Sequence, residues 1–265
     1  MSHDPSTKWR VTPGTHPAVA SIDAGSTPGA PGDRGATEVA TAPLHARLLE
    51  LQDRLWAERQ RSLLIVLQGL DASGKDRTIS HVFRGLNPLG TTVSAFTVPT
   101  DAERAHDFLW RVHAHCPARG EIAIFNRSHY EDVLAARVHD LVPEQVWRSR
   151  YEHIVAFEAL LAHGGTTVVK ILLHISLHEQ LERLEARLAD PAKRWKLHPQ
   201  DFAERGWWEG HQQAFDEMLA RTSTEAAPWH VVPADHNWYR NWAVSTILIE
   251  TLEAMHPRYP VLPTI

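Results

Sequence analysis

The sequence predicts a three-layer α/β fold, with a mostly parallel five-stranded sheet held between helices. Three observations predict it. Five short strand candidates recur along the chain, the first of them an apolar run of a length suited to a buried strand. Segments of helical period separate these candidates, so strands and helices alternate. A glycine-rich turn follows the first run and leads into a helix, the usual start of such a sheet.

The elements follow in order. Residues 12–43 are rich in Pro, Gly, Ala, Ser and Thr and show no period, which predicts an extended or mobile arm over 1–43. Leu44, Leu48, Leu51 and Leu55 recur at helical spacing and open a single domain over 44–265. Residues 62–68 are the first strand, and 78–83 a helix beyond the turn. A second strand is predicted over 92–96, then a helix over 101–115 capped by Thr100 or Asp101. The third strand is 121–125. A long amphipathic helix over 144–163 stops at Gly164-Gly165. The most hydrophobic strand, 167–175, comes next. Helices over 177–188 and 202–219 flank a basic segment. The fifth strand is 229–232, and 238–255 is the closing helix.

Composition narrows the function. The chain has 265 residues, 43% hydrophobic and 22% charged, which supports a sizeable core. Its net charge of −5 argues against a general nucleic-acid coat, though a local basic cluster can still bind an anion. Cys116 is the single cysteine, so no disulfide framework forms within the chain, which fits a reducing cytoplasm. Residues 1–18 hold no signal-like apolar run, and the longest apolar runs are too short to span a bilayer. A cytoplasmic protein with no membrane or nucleic-acid partner is expected.

The most informative string is Gly69-Leu70-Asp71-Ala72-Ser73-Gly74-Lys75, a G-x-x-x-x-G-K phosphate loop between a predicted strand and a predicted helix. Its glycines let backbone N–H groups turn toward phosphate oxygens, and the following helix adds its positive end. Lys75 supplies a point charge. Asp76 stands where most P-loop enzymes place Ser or Thr on Mg²⁺. Asp71 lies inside the cradle, where an acid is unfavourable unless a cation lies between it and phosphate. Asp71 is therefore a candidate Mg²⁺ ligand, direct or through water; its alternative role is a turn residue bonding its own backbone.

The third strand runs into Asn126-Arg127-Ser128-His129-Tyr130-Glu131-Asp132, at the sheet end where ligands bind. Arg127 is suited to clamp an acceptor phosphate through its planar fork. Glu131 and Asp132 add acidity near metal or acceptor, or serve as ordinary first-turn acids of a helix. Asn126 and Arg137 complete the nucleotide-binding candidates. Positive charge concentrates in Arg183, Arg187, Lys193, Arg194 and Lys196, bracketed by Pro191 and Pro199. Such a loop can close over a polyanion as a lid, about 183–205, or be a solvated connection. His113, His115 and Cys116 form the tightest His/Cys cluster, but at i+2 spacing on a helix they do not converge on zinc.

These strings carry a resemblance. Residues 67–76, Leu-Gln-Gly-Leu-Asp-Ala-Ser-Gly-Lys-Asp, resemble the Walker A segment of the polyphosphate kinase 2 family. Asn126 to Glu131 resembles its Walker B segment, Asp190-Pro191-x-Lys193-x-Trp195-Lys196-Leu197 its lid, and Trp238-Tyr239-Arg240-Asn241-Trp242-Ala243 its closing motif. The similarity runs from about residue 9 to 260. It implies a thymidylate-kinase-like P-loop kinase fold with a helical lid, inorganic polyphosphate as donor, and Mg²⁺, with Mn²⁺ as an alternative. It also implies nucleoside mono- and diphosphate acceptors, carrying AMP to ADP and on to ATP reversibly. Asp71, Lys75 and Arg127 would be the catalytic residues. Gly69, Ala72, Ser73, Gly74, Asp76, Lys193, Arg194 and Lys196 would hold phosphates. Asp71, with Glu131 or Asp132, would hold the metal. Two positions depart from the family: Asn126, where many relatives carry Asp, and Arg77, where Gly is usual. A homo-oligomer, dimer or tetramer, is expected, with Trp195 and Trp207-Trp208 as candidate contact or base-stacking surfaces. The rival readings are an ATP-dependent kinase of the same fold and a non-catalytic phosphate-binding module.

Overall fold

Five strands form within a residue of where the sequence predicts them: β1 (Ser62–Gln68), β2 (Thr91–Ala95), β3 (Ile122–Asn126), β4 (Thr166–His174) and β5 (Trp229–Pro233). The computed structural model describes residues 5–198 and 200–261, so Pro199 and the ends of the predicted arm and domain lie outside the described residues. Every residue of β1 is buried, as a continuous apolar run requires of a strand covered on both faces. The strands order as β2-β3-β1-β4-β5, and every pairing is parallel. Leu67 pairs with Asn126 on one side and Ile171 on the other, so the strands end nearly level.

Helices cover both faces. Leu63, Ile65 and Leu67 of β1 pack toward α1 (Arg34–Glu58), α2 (Lys75–Val82) and α10 (Asn237–Met255). Leu64 and Val66 pack toward α5 (Glu131–Val138), α6 (Glu144–His163) and α9 (Trp208–Thr222). The connection leaving β1 therefore crosses one face, and that leaving β3 crosses the other. A crevice opens where neighbouring connections part in this way, at the carboxyl ends of β1 and β3. Among the described residues, no helix is long and apolar enough to cross a membrane.

Three sequence expectations need correction. Residues 34–43 belong to α1 and not to an arm: Asp33 caps the helix by accepting from the Ala36 N–H at 2.9 Å. That part of the helix buries only Thr37, so no apolar period marks it, and Gly35 and Pro43 read as breakers. Parts of the described segment before it pack on the domain. Trp9, Val11 and Val19 are buried, and the chain at Arg10 bridges antiparallel to His230, covering the free edge of β5.

The helix expected over 101–115 is two single turns, α3 (Asp101–Arg104) and α4 (Trp110–His113). Thr100 caps α3 in a capping box with Glu103. Asp107 then ends the run, since its side chain accepts from the Leu109 N–H at 3.0 Å and stabilises a turn instead of a helix. The helix expected over 202–219 is α8 (Gln200–Ala203), a 3₁₀ turn (Glu204–Trp207) and α9, with Gly206 inside the tightened turn. α7 (Leu177–Ala189) forms as expected, capped by Ser176.

Candidate active site

The phosphate loop leaves β1 in a conformation that depends on its glycines. Gly69 has φ +145°, and a Cβ there would lie 2.7 Å from the Leu173 carbonyl. Gly74 has φ +103°, and a Cβ there would meet the Arg240 guanidinium at 2.0 Å. Ala72, at φ +65°, is the loop's non-glycine left-handed residue. Two distant arginines brace the loop. Arg183 on α7 donates to the carbonyls of Ala72 (2.9 Å), Ser73 (3.2 Å), Ala234 (2.8 Å) and Asp235 (2.7 Å). Arg240 on α10 is fully buried and donates to Asn237 at 2.7 Å and Asn241 at 3.0 Å. Burial, with Arg183 and Arg77 nearby, pushes Arg240 down to about 9.

Lys75 begins α2 and is almost wholly buried. Its ammonium donates to the carbonyls of Gly69 at 2.6 Å and Leu70 at 3.1 Å. Burial first, then Arg127, pushes it down to about 8, against the pull of Asp71, Glu131 and Asp76. Burial raises the Asp71 carboxyl, but Arg127 and Lys75 outweigh it and hold the group below the usual carboxylate range. Asp76 is likewise held low, its burial outweighed by the Asn126 amide at 2.9 Å and by Lys196, 3.6 Å away.

The β3 segment meets this loop. Arg127 sits at φ +63°, its N–H bonded to the Leu67 carbonyl at 3.0 Å. Its guanidinium pairs with Asp71 and, at 3.1 Å, with Glu131 at the start of α5. The next residues are its anchor. Ser128 bonds Gln68 at 3.1 Å, and the Tyr130 hydroxyl donates to buried Glu158 at 2.8 Å. Lys170 on β4 closes that network on Glu158 at 2.5 Å. Nothing local in the sequence marks Glu158 and Lys170 as supports, because they come from α6 and β4.

A cavity of about 830 Å³ opens over the loop. Asp71, Ala72, Gly74, Lys75, Asp76, Asn126 and Arg127 line it, and so do Lys193, Trp195 and Lys196, with Lys196 reaching to within 3.6 Å of Asp76. Seven cationic side chains line it against five carboxylates, so the site is locally basic in a net-acidic chain. Arg77 is exposed and adds one of those charges.

The remaining sequence candidates lie elsewhere. Gly69 and Ser73 belong to the loop but not to the cavity wall. Lys193 lines the cavity while paired with Asp190, whereas Arg194 lies outside the lining and bonds the Leu188 carbonyl at 2.7 Å. Arg137 is held away by Glu217 at 2.6 Å. Asp132 faces Arg111 at 3.4 Å and Arg150 at 3.8 Å; burial, outweighing these cations, pushes its carboxyl up. His113 packs on Phe157 while His115 bonds Ser94 at 3.0 Å, so the two diverge as expected. Sequence reasoning passed over Asn237 and the Ala95-Phe96-Thr97 wall, for which no local string gives a signal.

A family model described as polyphosphate kinase 2 matches residues 33–260. The chain belongs to the polyphosphate kinase 2 family. It is 51% identical over 253 residues to an AMP/ADP-polyphosphate phosphotransferase of Meiothermus ruber, covering 96% of this chain and 95% of that protein. It is 40% identical over 226 residues to an ADP-polyphosphate phosphotransferase of Rhodopseudomonas palustris, covering 81% and 78%. A crystal structure of polyphosphate kinase 2 from Arthrobacter aurescens TC1 superposes with TM-score 0.95 at 41% identity, over all of this chain and 94% of that one. This family member thus carries the phosphate loop, the Asn126–Glu131 segment and the basic strip around one crevice.

Proposed function

We propose that this protein transfers phosphoryl groups reversibly from inorganic polyphosphate to AMP and to ADP in the cavity over the phosphate loop. The observation that carries this reading is the meeting of Asp71, Lys75 and Arg127 at one end of a cavity with an excess of cations. The names of the relatives supply the donor and acceptors.

The donor set of the site suits a hard cation. Asp71 and Asp76 both line the cavity with carboxylate oxygens, and Mg²⁺ is commonly held by one or two carboxylates plus substrate phosphates. Mn²⁺ fits the same donors. When bound, the cation would neutralise charge on the donor and acceptor phosphates. The chain's residues do the rest. Lys75, protonated below pH 8, exchanges its loop carbonyls for phosphate oxygens. Arg127 turns its fork from Asp71 and Glu131 to the acceptor phosphate. An acceptor phosphate oxygen, already ionised, forms the new P–O bond as the phosphoanhydride of the donor breaks, so no general base is needed. Lys193, Trp195 and Lys196 close over the phosphates and exclude water, which would otherwise hydrolyse the donor. A cytoplasmic setting fits this reading. Cys116 is half-buried, and burial pushes its thiol up to about 11, where it is inert.

The test is incubation with AMP, Mg²⁺ and polyphosphate without ATP, reading ADP and ATP separately. Both products are expected in sequence. Product only with ATP as donor would overturn the reading.

A further inference from the structure

Outside the catalytic crevice, three side chains from separate parts of the fold converge. His139 follows the last turn of α5, Glu204 opens the 3₁₀ turn beyond α8, and His211 lies on α9. None lines the cavity. Nε2 of His139 lies 3.2 Å from Oε2 of Glu204, and Nε2 of His211 lies 3.3 Å from the same oxygen. The three ligand atoms all fall within 4.8 Å of one another. A tetrahedral zinc site with bonds of about 2.0–2.1 Å sets neighbouring ligand atoms about 3.3 Å apart. Two edges of that tetrahedron are already in place, and the third needs only a small side-chain rotation. Trp207 packs its ring against His139, with centroids 5.7 Å apart, and Phe215 lies 6.3 Å from His211, giving the cluster an apolar flank.

We propose that His139, Glu204 and His211 form a binding site for a borderline-soft divalent cation, Zn²⁺ above all, distinct from the catalytic metal. Two imidazoles and one carboxylate select zinc over Mg²⁺, which prefers oxygen alone. A water completes the fourth position. The site has a mechanical consequence. Glu204 is the first residue past α8, at the foot of the segment that carries Lys193, Trp195 and Lys196. Zinc there ties this foot to α5 and α9. The sequence hides the site, because 64 residues lie between His139 and Glu204 and no short motif links them.

The test uses the full chain, stripped of metal and held in excess Mg²⁺ to occupy the carboxylates of the crevice. Zn²⁺ is titrated against a chromophoric chelator. One zinc per chain is expected, with X-ray absorption giving two imidazole nitrogens at about 2.0–2.1 Å. His139→Ala and His211→Ala should each weaken binding by more than about 100-fold, beyond the scale of an outer-shell loss. Glu204→Gln, which preserves shape, should also weaken it. Zinc should slow amide exchange over residues 200–208 in the wild type and leave the variants unchanged. Absence of stoichiometric zinc, zinc with fewer than two imidazoles, or equal affinity in the double histidine variant would overturn the proposal. Should the histidine variants not fold, the absorption spectrum of the wild type decides alone.

Discussion

Lys75 is buried where its charge is costly. Its ammonium, pushed down to about 8 from 10.5, is disfavoured at neutral pH by about 3 kcal/mol relative to the unfolded chain. Below pH 8 both states hold the proton and the full cost is present. From about 8 to 10.5 the unfolded chain binds more protons, so the folded state gains stability as pH rises. Phosphate oxygens reverse the balance, because they favour the charged amine. The second-order rate constant with polyphosphate, kcat/KM, should therefore fall as pH rises through about 8. Initial rates at subsaturating polyphosphate, taken from pH 6.5 to 9.5, check this. A flat profile would show that Lys75 does not titrate in the free enzyme.

The cavity residues at the ends of β1 and β3 were legible because they form local strings at strand ends. Their supports were not. Arg183 reads from the sequence as one more lid cation, yet its guanidinium is committed to four backbone carbonyls. Arg137 reads as a nucleotide contact, yet Glu217 on α9 holds it. Charge along a sequence gives no direction in space, and only packing settles which cations reach the cavity.

At the scale of elements, the loop and helix α2 are held from behind. Gly74 packs directly on Arg240, which is buried and cannot retreat. Gly74→Ala combines a left-handed backbone with a collision, so stability should fall by about 2 kcal/mol or more. Turnover should fall with it, because the loop must shift. Urea unfolding beside initial rates checks both; an unchanged midpoint would contradict the packing described. The strands were predictable to within a residue or two; in β1 and β4 burial on both faces leaves an unbroken apolar run, while the edge strand β2 is half exposed and carries Thr and Ser. Helix boundaries were less so. Exposed turns such as 34–43 carry no period, and Asp107 splits a helix by a side-chain bond that composition does not reveal.

At the scale of the molecule, the segment around Trp9 is part of the fold. The Trp9 indole donates to the Tyr239 hydroxyl at 2.8 Å and meets Trp242 edge-on at 5.6 Å. It ties the segment covering β5 to the helix that braces the phosphate loop. Trp9→Ala should cost about 3–5 kcal/mol, the scale for a buried tryptophan. A denaturant midpoint near that of the wild type would instead make the segment an ornament. The parallel order of the sheet brings the ends of β1 and β3 together, and that juxtaposition produces the site.

The central claim is that a buried amine in one glycine turn stabilises the phosphoryl group in flight. The most direct measurement is the turnover of Lys75→Ala with polyphosphate and AMP at saturating Mg²⁺, beside its thermal unfolding. A loss of about 10²–10³-fold in kcat is expected with the fold retained. Turnover near that of the wild type in a folded variant would contradict it.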